Sequence, residues 1–181
     1  MKKNLLLQLG IGTGATQTSG SKPAITNTFV RPEMSGNTNY DHLFKGVKKK
    51  TDDFFGRFVN SQGEKFSDGP REYQLFQTGD DTRSDSAIIS ALNICNFVTP
   101  GELRATMEYL NTDEGKKLLA IPQGEEEVNF ILGYAKDENE KPHVLFVEHE
   151  LEHGEEEIHF HSRPLDRWRN DNPSGVVEVQ K

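Results

Sequence analysis

The chain has 181 residues, which is enough for one domain with a sizeable core. Its net charge of −8 argues against nucleic acid or an anionic membrane surface as the principal partner. Cys95 is the only cysteine, so an internal disulfide is excluded and a reducing compartment is favoured. No apolar run approaches the roughly 20 residues of a membrane-spanning helix, so we expect a protein of the cytoplasm or of an intracellular assembly.

The N-terminal region has the composition of an extended arm. Its first ten residues imitate a secretion signal, but Gln8 interrupts the leucine run and no cleavage site follows, so we predict a strand instead of a signal peptide. Residues 10–39 are dominated by Gly, Thr, Ser, Asn and Pro and cannot bury enough surface to order themselves. We predict that residues 1–39 are held by a protein partner or a second copy, through strand addition by residues 4–9 and apolar contacts of Phe29 and Val30. Subunits of large assemblies, including virus particles, use such arms.

Three stretches between residues 51 and 110 have the spacing of helices that bury one face. Thr51 is the predicted N-cap of the first, and Ser84 or Asp85 that of the second. The third begins with a capping box that places proline at the first helical position. The predicted buried residues are Phe54, Phe55, Phe58 and Val59 in the first helix, Ile88, Ile89, Leu92 and Cys95 in the second, and Leu103, Met107 and Leu110 in the third.

The clearest periodicity lies between residues 126 and 162. Apolar residues alternate from Val128 to Tyr134, a nearly continuous apolar run covers residues 143–147, and alternation resumes over residues 157–162. Short polar connections separate the three runs. We predict an antiparallel β-meander packed with two or three helices, which is an α+β domain over residues 40–181.

The sequence His149-Glu150-Leu151-Glu152-His153 has H-E-x-x-H spacing. On a helix, residues four apart share a face, so two imidazoles would bind one Zn²⁺ while the glutamate polarises a water molecule as general base. The string resembles the signature of zincin metallopeptidases over these five residues. The resemblance implies a zinc-dependent hydrolase with His149 and His153 as metal ligands and Glu150 as the catalytic residue.

The competing interpretation places the same string on a strand. His149 and His153 would then lie roughly 13 Å apart at about 3.3 Å per residue, which is too far for one shared ion. His153 and Gly154 would form a tight turn in which glycine accepts a positive φ.

A second metal hypothesis is compatible with strands. His159 and His161 are two residues apart, so both imidazoles face the same side of a strand. Together with His149 or Glu148 from the neighbouring strand they would hold a divalent ion, in an arrangement similar to the H-x-H pair of cupin strands. The alternative is a solvated strand face beside carboxylates.

The C-terminal region offers two further interaction candidates. Trp168 lies between two arginines and is either an exposed binding anchor or a lid on the core. The valines of residues 176–179 predict an edge strand that pairs within the subunit or with another.

The leading hypothesis is a non-enzymatic interaction or assembly subunit without a cofactor, which engages a protein partner through its arm and exposed strand edges. A zinc hydrolase based on residues 149–153 is the first alternative. A non-catalytic metal-binding protein based on His159 and His161 is the second.

Overall fold

The computed structural model describes residues 23–37, 42–60, 65–78, 84–165 and 174–178. Strands dominate these residues, and short helices complete a mixed α+β structure, which confirms the predicted class. The strands are β1 Ala24–Arg31, β2 Met34–Asn37, β3 Lys48–Thr51, β4 Lys65–Asp68, β5 Arg71–Gln77, β6 Glu127–Lys136, β7 Pro142–Glu152, β8 Glu155–Pro164 and β9 Ser174–Glu178, and the helices are α1 Asp53–Asn60, α2 Asp85–Ala91, α3 Pro100–Leu110 and α4 Asp113–Lys116.

Seven strands form one sheet in the order β1-β5-β9-β6-β7-β8-β3. Neighbouring strands are antiparallel except for the pairs β9–β6 and β8–β3, which are parallel. The strands β2 and β4 form a separate antiparallel pair. Among the described residues, no helix is both long and apolar enough to cross a membrane.

The three runs predicted between residues 126 and 162 are β6, β7 and β8, which pair consecutively as antiparallel neighbours. The β7–β8 connection is a two-residue turn formed by His153 at φ 53° and Gly154 at φ 83°. Positive φ at both positions suits the right-handed twist of the flanking strands. The turn fixes the register of β7 against β8, and with it the side chains that share a face.

One face of the large sheet packs against α1 and α3. The apolar residues of β6, β7 and β8 that point to this face are buried together with those of the two helices. Asp52 caps α1 by accepting a hydrogen bond from the Phe55 amide at 2.7 Å, and it also accepts from the Ser162 amide of β8. The central members of this core are Phe55, Val59, Leu103, Met107, Phe130, Leu145, Val147, Ile158 and Phe160.

The described residues cover only part of the opposite face. There α2 packs on Phe76, Ile131, Tyr134 and Val144, and Arg163 of β8 anchors α2 through Asp85 at 2.5 Å and 2.8 Å. Beyond Phe146, toward the β7–β8 turn, the residues on this face are polar, and all of them except the buried Glu157 are at least partly exposed. This uncovered area of β6, β7, β8 and β3 is called the open face below.

Three local predictions were wrong. The N-cap of α1 is Asp52 and not Thr51, which belongs to β3. Cys95 is buried as predicted, but α2 ends at Ala91 and Asn93 has a left-handed φ of 51°, so Cys95 lies after the helix in a segment without regular secondary structure. Val176 and Val177 lie in β9, which is between β5 and β6 and is no edge, whereas Val179 lies outside the described residues.

The position of β9 has a simple physical reason. Val176 belongs to the core under α3, whereas Val177 belongs to the core under α2. A run of consecutive apolar residues is typical of a strand that is covered on both faces, and such strands lie inside a sheet.

The segment 24–37, which the sequence analysis assigned to the arm, pairs within the chain. β1 runs antiparallel to β5, and β2 runs antiparallel to β4. Residues 1–22 and 38–39 of the predicted arm lie outside the described residues, as does the proposed strand addition by residues 4–9.

Candidate metal centre

Five titratable side chains of β7 and β8 meet on the open face, namely Glu148, Glu150, Glu157, His159 and His161. Alternate residues of a strand share a face, so Glu148 and Glu150 of β7 lie on the same side as His159 and His161 of β8. In the β7–β8 register, Glu148 is opposite His159 and Glu150 is opposite Glu157. The period-two pattern of each strand and the short hairpin turn together produce this grouping.

Glu148, His159 and His161 each offer one ligand atom, and these atoms lie within 4.8 Å of one another. The Oε2 atom of Glu148 is 3.1 Å from His161 Nε2 and 3.9 Å from His159 Nδ1. The two imidazole centroids are 5.4 Å apart. This set is called the outer triad.

The outer triad is accessible but its rings are supported. His159 is 12 % exposed, Glu148 26 % and His161 34 %. Phe146 stacks on the His161 ring with the centroids 5.4 Å apart. A ring held by such a contact loses less rotational freedom when it binds a ligand.

The second nitrogen of His159 faces other carboxylates. His159 Nε2 lies 3.0 Å from Glu157 Oε2 and 3.1 Å from Glu150 Oε1. Glu150, Glu157 and His159 also offer ligand atoms within 4.8 Å of one another, and they are called the inner triad. His159 is therefore common to both triads.

Glu157 is buried at 2 % exposure and is held by two lysines of β3. Lys48 forms an ion pair with its Oε1, and Lys50 Nζ lies 2.9 Å from its Oε2. Hydrogen bonds from Lys48, Lys50 and His159 lower the pKa of Glu157 to about 2. This carboxylate is thus ionised at neutral pH and available as a hydrogen-bond acceptor for His159.

The H-E-x-x-H string does not form the helix that the zinc-hydrolase hypothesis requires. His149 and Glu150 lie in β7, and His153 lies in the turn with its side chain 91 % exposed. His149 faces away from Glu150, and its Nδ1 is 2.7 Å from the Leu119 carbonyl oxygen. Of the predicted metal ligands, the structure brings together His159 and His161, with Glu150 beside His159, and it leaves His149 and His153 apart from them.

The predicted interaction residues have different environments. Phe29 of β1 packs on the rings of Tyr73 and Tyr109, with centroids 5.7 Å and 5.5 Å away, so it contributes to the chain's own core. Val30, on the other side of β1, is 63 % exposed. Trp168 lies outside the described residues.

Sequence reasoning did not find the role of Lys48 and Lys50. In an acidic chain, three consecutive lysines at residues 48–50 are typical of a solvated helix end, whereas β3 is a short parallel strand beside β8. The signal that could have indicated their role is the alternation of a strand, which puts Lys48 and Lys50 on one face. Lys49 points to the other face, where its Nζ donates to the Leu43 carbonyl oxygen at 2.6 Å. Nothing local in the sequence indicated which strand would lie beside it.

Comparisons of the chain with protein-family models, with curated proteins and with solved structures find no match. The function therefore has to be inferred from the chemistry of the side chains described above.

Proposed function

We propose that this protein binds a divalent transition-metal ion of the Zn²⁺ class through Glu148, His159 and His161. The convergence of these ligand atoms within 4.8 Å is the observation that carries the proposal. Two imidazoles and a carboxylate suit Zn²⁺ and similar ions, whereas Mg²⁺ and Ca²⁺ prefer sites built from oxygen atoms.

The spacing of the outer triad supports a tetrahedral ion. Ligand atoms about 2.0–2.1 Å from a tetrahedral Zn²⁺ lie roughly 3.3 Å from one another. The observed separations from Glu148 Oε2 are 3.1 Å and 3.9 Å. The tetrahedral spacing lies between these two distances.

The surroundings of His159 support the same proposal. A metal-bound histidine usually donates its other ring N–H to a carboxylate, which fixes the tautomer and orients the ring. In His159 the Nδ1 atom faces the outer triad, while Nε2 is within 3.0–3.1 Å of Glu157 and Glu150. Three protein ligands leave a fourth position for water or for a ligand supplied by a partner.

Metal analysis of protein purified without chelator or nickel affinity tests this proposal. We expect one Zn²⁺ per chain, and a loss of affinity of at least tenfold in His161→Ala because a direct ligand is removed. The matched control is His153→Ala, which changes an exposed histidine outside the triad and should leave binding unchanged. Absence of stoichiometric metal, or an equal loss of Zn²⁺ affinity in both variants, would contradict the proposal. A loss of affinity confined to His153→Ala would favour the hydrolase hypothesis instead.

A second candidate function is assembly through the edge strand β1, whose partner would be a strand of another protein or of a second copy. Among the described strands, β1 ends the large sheet, and it carries no charged residue from Ala24 to Val30. Natural edge strands are usually short or protected by lysine, proline or a bulge. β3 at the other end has three lysines, whereas β1 has no lysine and only a register shift between Ile25 and Asn27. Ile25 at 44 % and Val30 at 63 % exposure are two of the three exposed large apolar side chains in the described part of the chain.

Substitution within β1 tests this second function better than truncation, because β1 is part of the sheet. Val30→Lys adds a charge to an exposed edge position, and we expect it to abolish any species heavier than the 20.4 kDa chain in light scattering. Leu151→Lys is the control, since Leu151 is 42 % exposed but lies near the β7–β8 turn. A wild-type protein that is monomeric at high concentration would contradict self-assembly.

A further inference from the structure

The inner triad shares its histidine with the outer triad but differs in its other contacts. Glu150 Oε1 and Glu157 Oε2 lie 3.1 Å and 3.0 Å from His159 Nε2. Glu127 of β6 adds a carboxylate next to them, since Glu127, Glu148 and Glu150 also offer atoms within 4.8 Å of one another. Anionic oxygen atoms thus surround the Nε2 side of the ring.

Two lysine side chains contact Glu157, which is one of these carboxylates. Lys50 Nζ is 2.9 Å from Glu157 Oε2, the same oxygen that lies 3.0 Å from His159 Nε2. Lys48 pairs with the other oxygen of Glu157. Both ammonium groups therefore neutralise a carboxylate that is itself only 2 % exposed.

The lysines reach this position from the solvent side. Lys48 is 56 % exposed and Lys50 is 52 % exposed, although their partner is buried. They belong to a four-residue edge strand, and a long flexible lysine chain can leave its partner by rotating into water. The position can therefore be vacated without opening the sheet.

We infer that Glu150, Glu157 and His159 form a second divalent-cation position, which the ammonium groups of Lys48 and Lys50 fill in place of a metal ion. The inference rests on the proposed function, because the first ion is the one bound by the outer triad. The lysines then set the stoichiometry, so that the wild-type protein takes one ion and a protein without these two charges takes two. When both ions bind, the carboxylates replace the lysine contacts by metal contacts, and His159 gives its remaining ring proton to solvent if it ligates both.

The experiment is a Zn²⁺ titration by calorimetry, combined with metal analysis of the dialysed protein. We expect one ion per wild-type chain and two per chain in Lys48→Gln/Lys50→Gln. Lys49→Gln is the matched control, because Lys49 points to the other side of β3, and it should bind one ion. Adding Glu157→Gln to the double variant should return the stoichiometry to one.

Loss of both lysines leaves a buried carboxylate without its cations, so folding is checked by circular dichroism with and without Zn²⁺. Zn²⁺ should raise the melting temperature of the double variant more than that of the wild type. If the double variant does not fold, the single variant Lys50→Gln tests the inference instead. It removes the ammonium group from Glu157 Oε2, the oxygen next to His159. One ion in each folded lysine variant, or two in the wild type, overturns this inference and leaves the first metal site intact. A wild-type protein that binds no ion overturns the proposed function itself.

Discussion

Glu157 combines near-complete burial with a full negative charge, and this makes its contribution to stability dependent on pH. Its pKa is lowered from 4.5 to about 2 by hydrogen bonds from Lys48, Lys50 and His159. A carboxyl group with a depressed pKa in the folded state stabilises the fold at pH values above its unfolded pKa. That stabilisation is lost as the pH falls from about 4.5 toward 2 and the carboxylate takes up a proton.

We therefore predict that Glu157→Gln lowers the stability at pH 6 but has a much smaller effect at pH 2.5. The free energy of unfolding, measured with urea in the presence of a chelator, should fall less steeply with decreasing pH in the variant than in the wild type. Glu138→Gln, in the exposed loop between β6 and β7, is the control and should follow the wild-type curve. Parallel curves for Glu157→Gln and the wild type would contradict the lowered pKa of Glu157 in the folded protein.

At the scale of elements, a bulge in β6 leaves room for Val98, which lies in the segment between α2 and α3. The register between β6 and β7 shifts between Ile131 and Gly133, and Gly133 has a φ of 151°. The Val98 amide donates to the Tyr134 carbonyl at 2.8 Å, which brings the Val98 side chain over Gly133. A Cβ atom at residue 133 would lie 2.4 Å from Val98 Cγ1.

We predict that Gly133→Ala costs about 2 kcal/mol of stability, because it forces overpacking and an unfavourable backbone angle. The double variant Gly133→Ala/Val98→Ala should recover part of that loss in urea unfolding, since the clash is removed. Gly101→Ala is the control: its Cβ would meet nothing within 4 Å, and alanine is a better helix former in α3. Equal losses at residues 101 and 133 would contradict this explanation of the bulge.

The elements that the sequence predicts well are those with local signals. Period two between residues 126 and 162 predicts the strands β6, β7 and β8, and it correctly places His159 and His161 on one face. The observed N-cap of α2 is Ser84, one of the two predicted candidates, and that of α3 is Thr99, the first residue of the predicted capping box. They accept hydrogen bonds from the Ala87 and Glu102 amides. Each of these features depends on side chains within a few residues of one another.

The features that escaped prediction depend on contacts between distant residues. Lys48 meets Glu157 across 109 positions of sequence, in a parallel pairing that neither strand specifies alone. The insertion of β9 between β5 and β6 similarly joins segments about 100 and 45 positions apart. The local sequence pattern predicted the grouping of the outer triad, but it did not predict the lysines that contact the inner triad.

At the scale of the whole molecule, a partly buried ion network ties the N-terminal strands to the rest of the chain. Arg31 at the end of β1 is fully buried and donates to Asp68 of β4 and to the Gly69 carbonyl oxygen at 3.2 Å. Asp68 also accepts from Arg71 at 2.8 Å and 2.9 Å, and Arg71 reaches Glu178 of β9 at 2.9 Å. Although burial raises the pKa of Asp68, hydrogen bonds from Arg71 and the charges of both arginines lower it below its ordinary value.

Both sheets meet in this network, so we predict that its disruption lowers the stability of the whole fold. Asp68→Asn should cost about 3–5 kcal/mol, because it leaves the buried Arg31 guanidinium without a carboxylate. Arg31→Met should cost less, since Asp68 keeps both hydrogen bonds from Arg71. The double variant should be more stable than Asp68→Asn alone, because no buried unpaired charge remains, and urea unfolding of the four proteins at pH 7 measures this order. A double variant whose loss equals the sum of the single losses would mean that the two side chains stabilise the fold independently, and that the contact between Arg31 and Asp68 does not link β1 to β4.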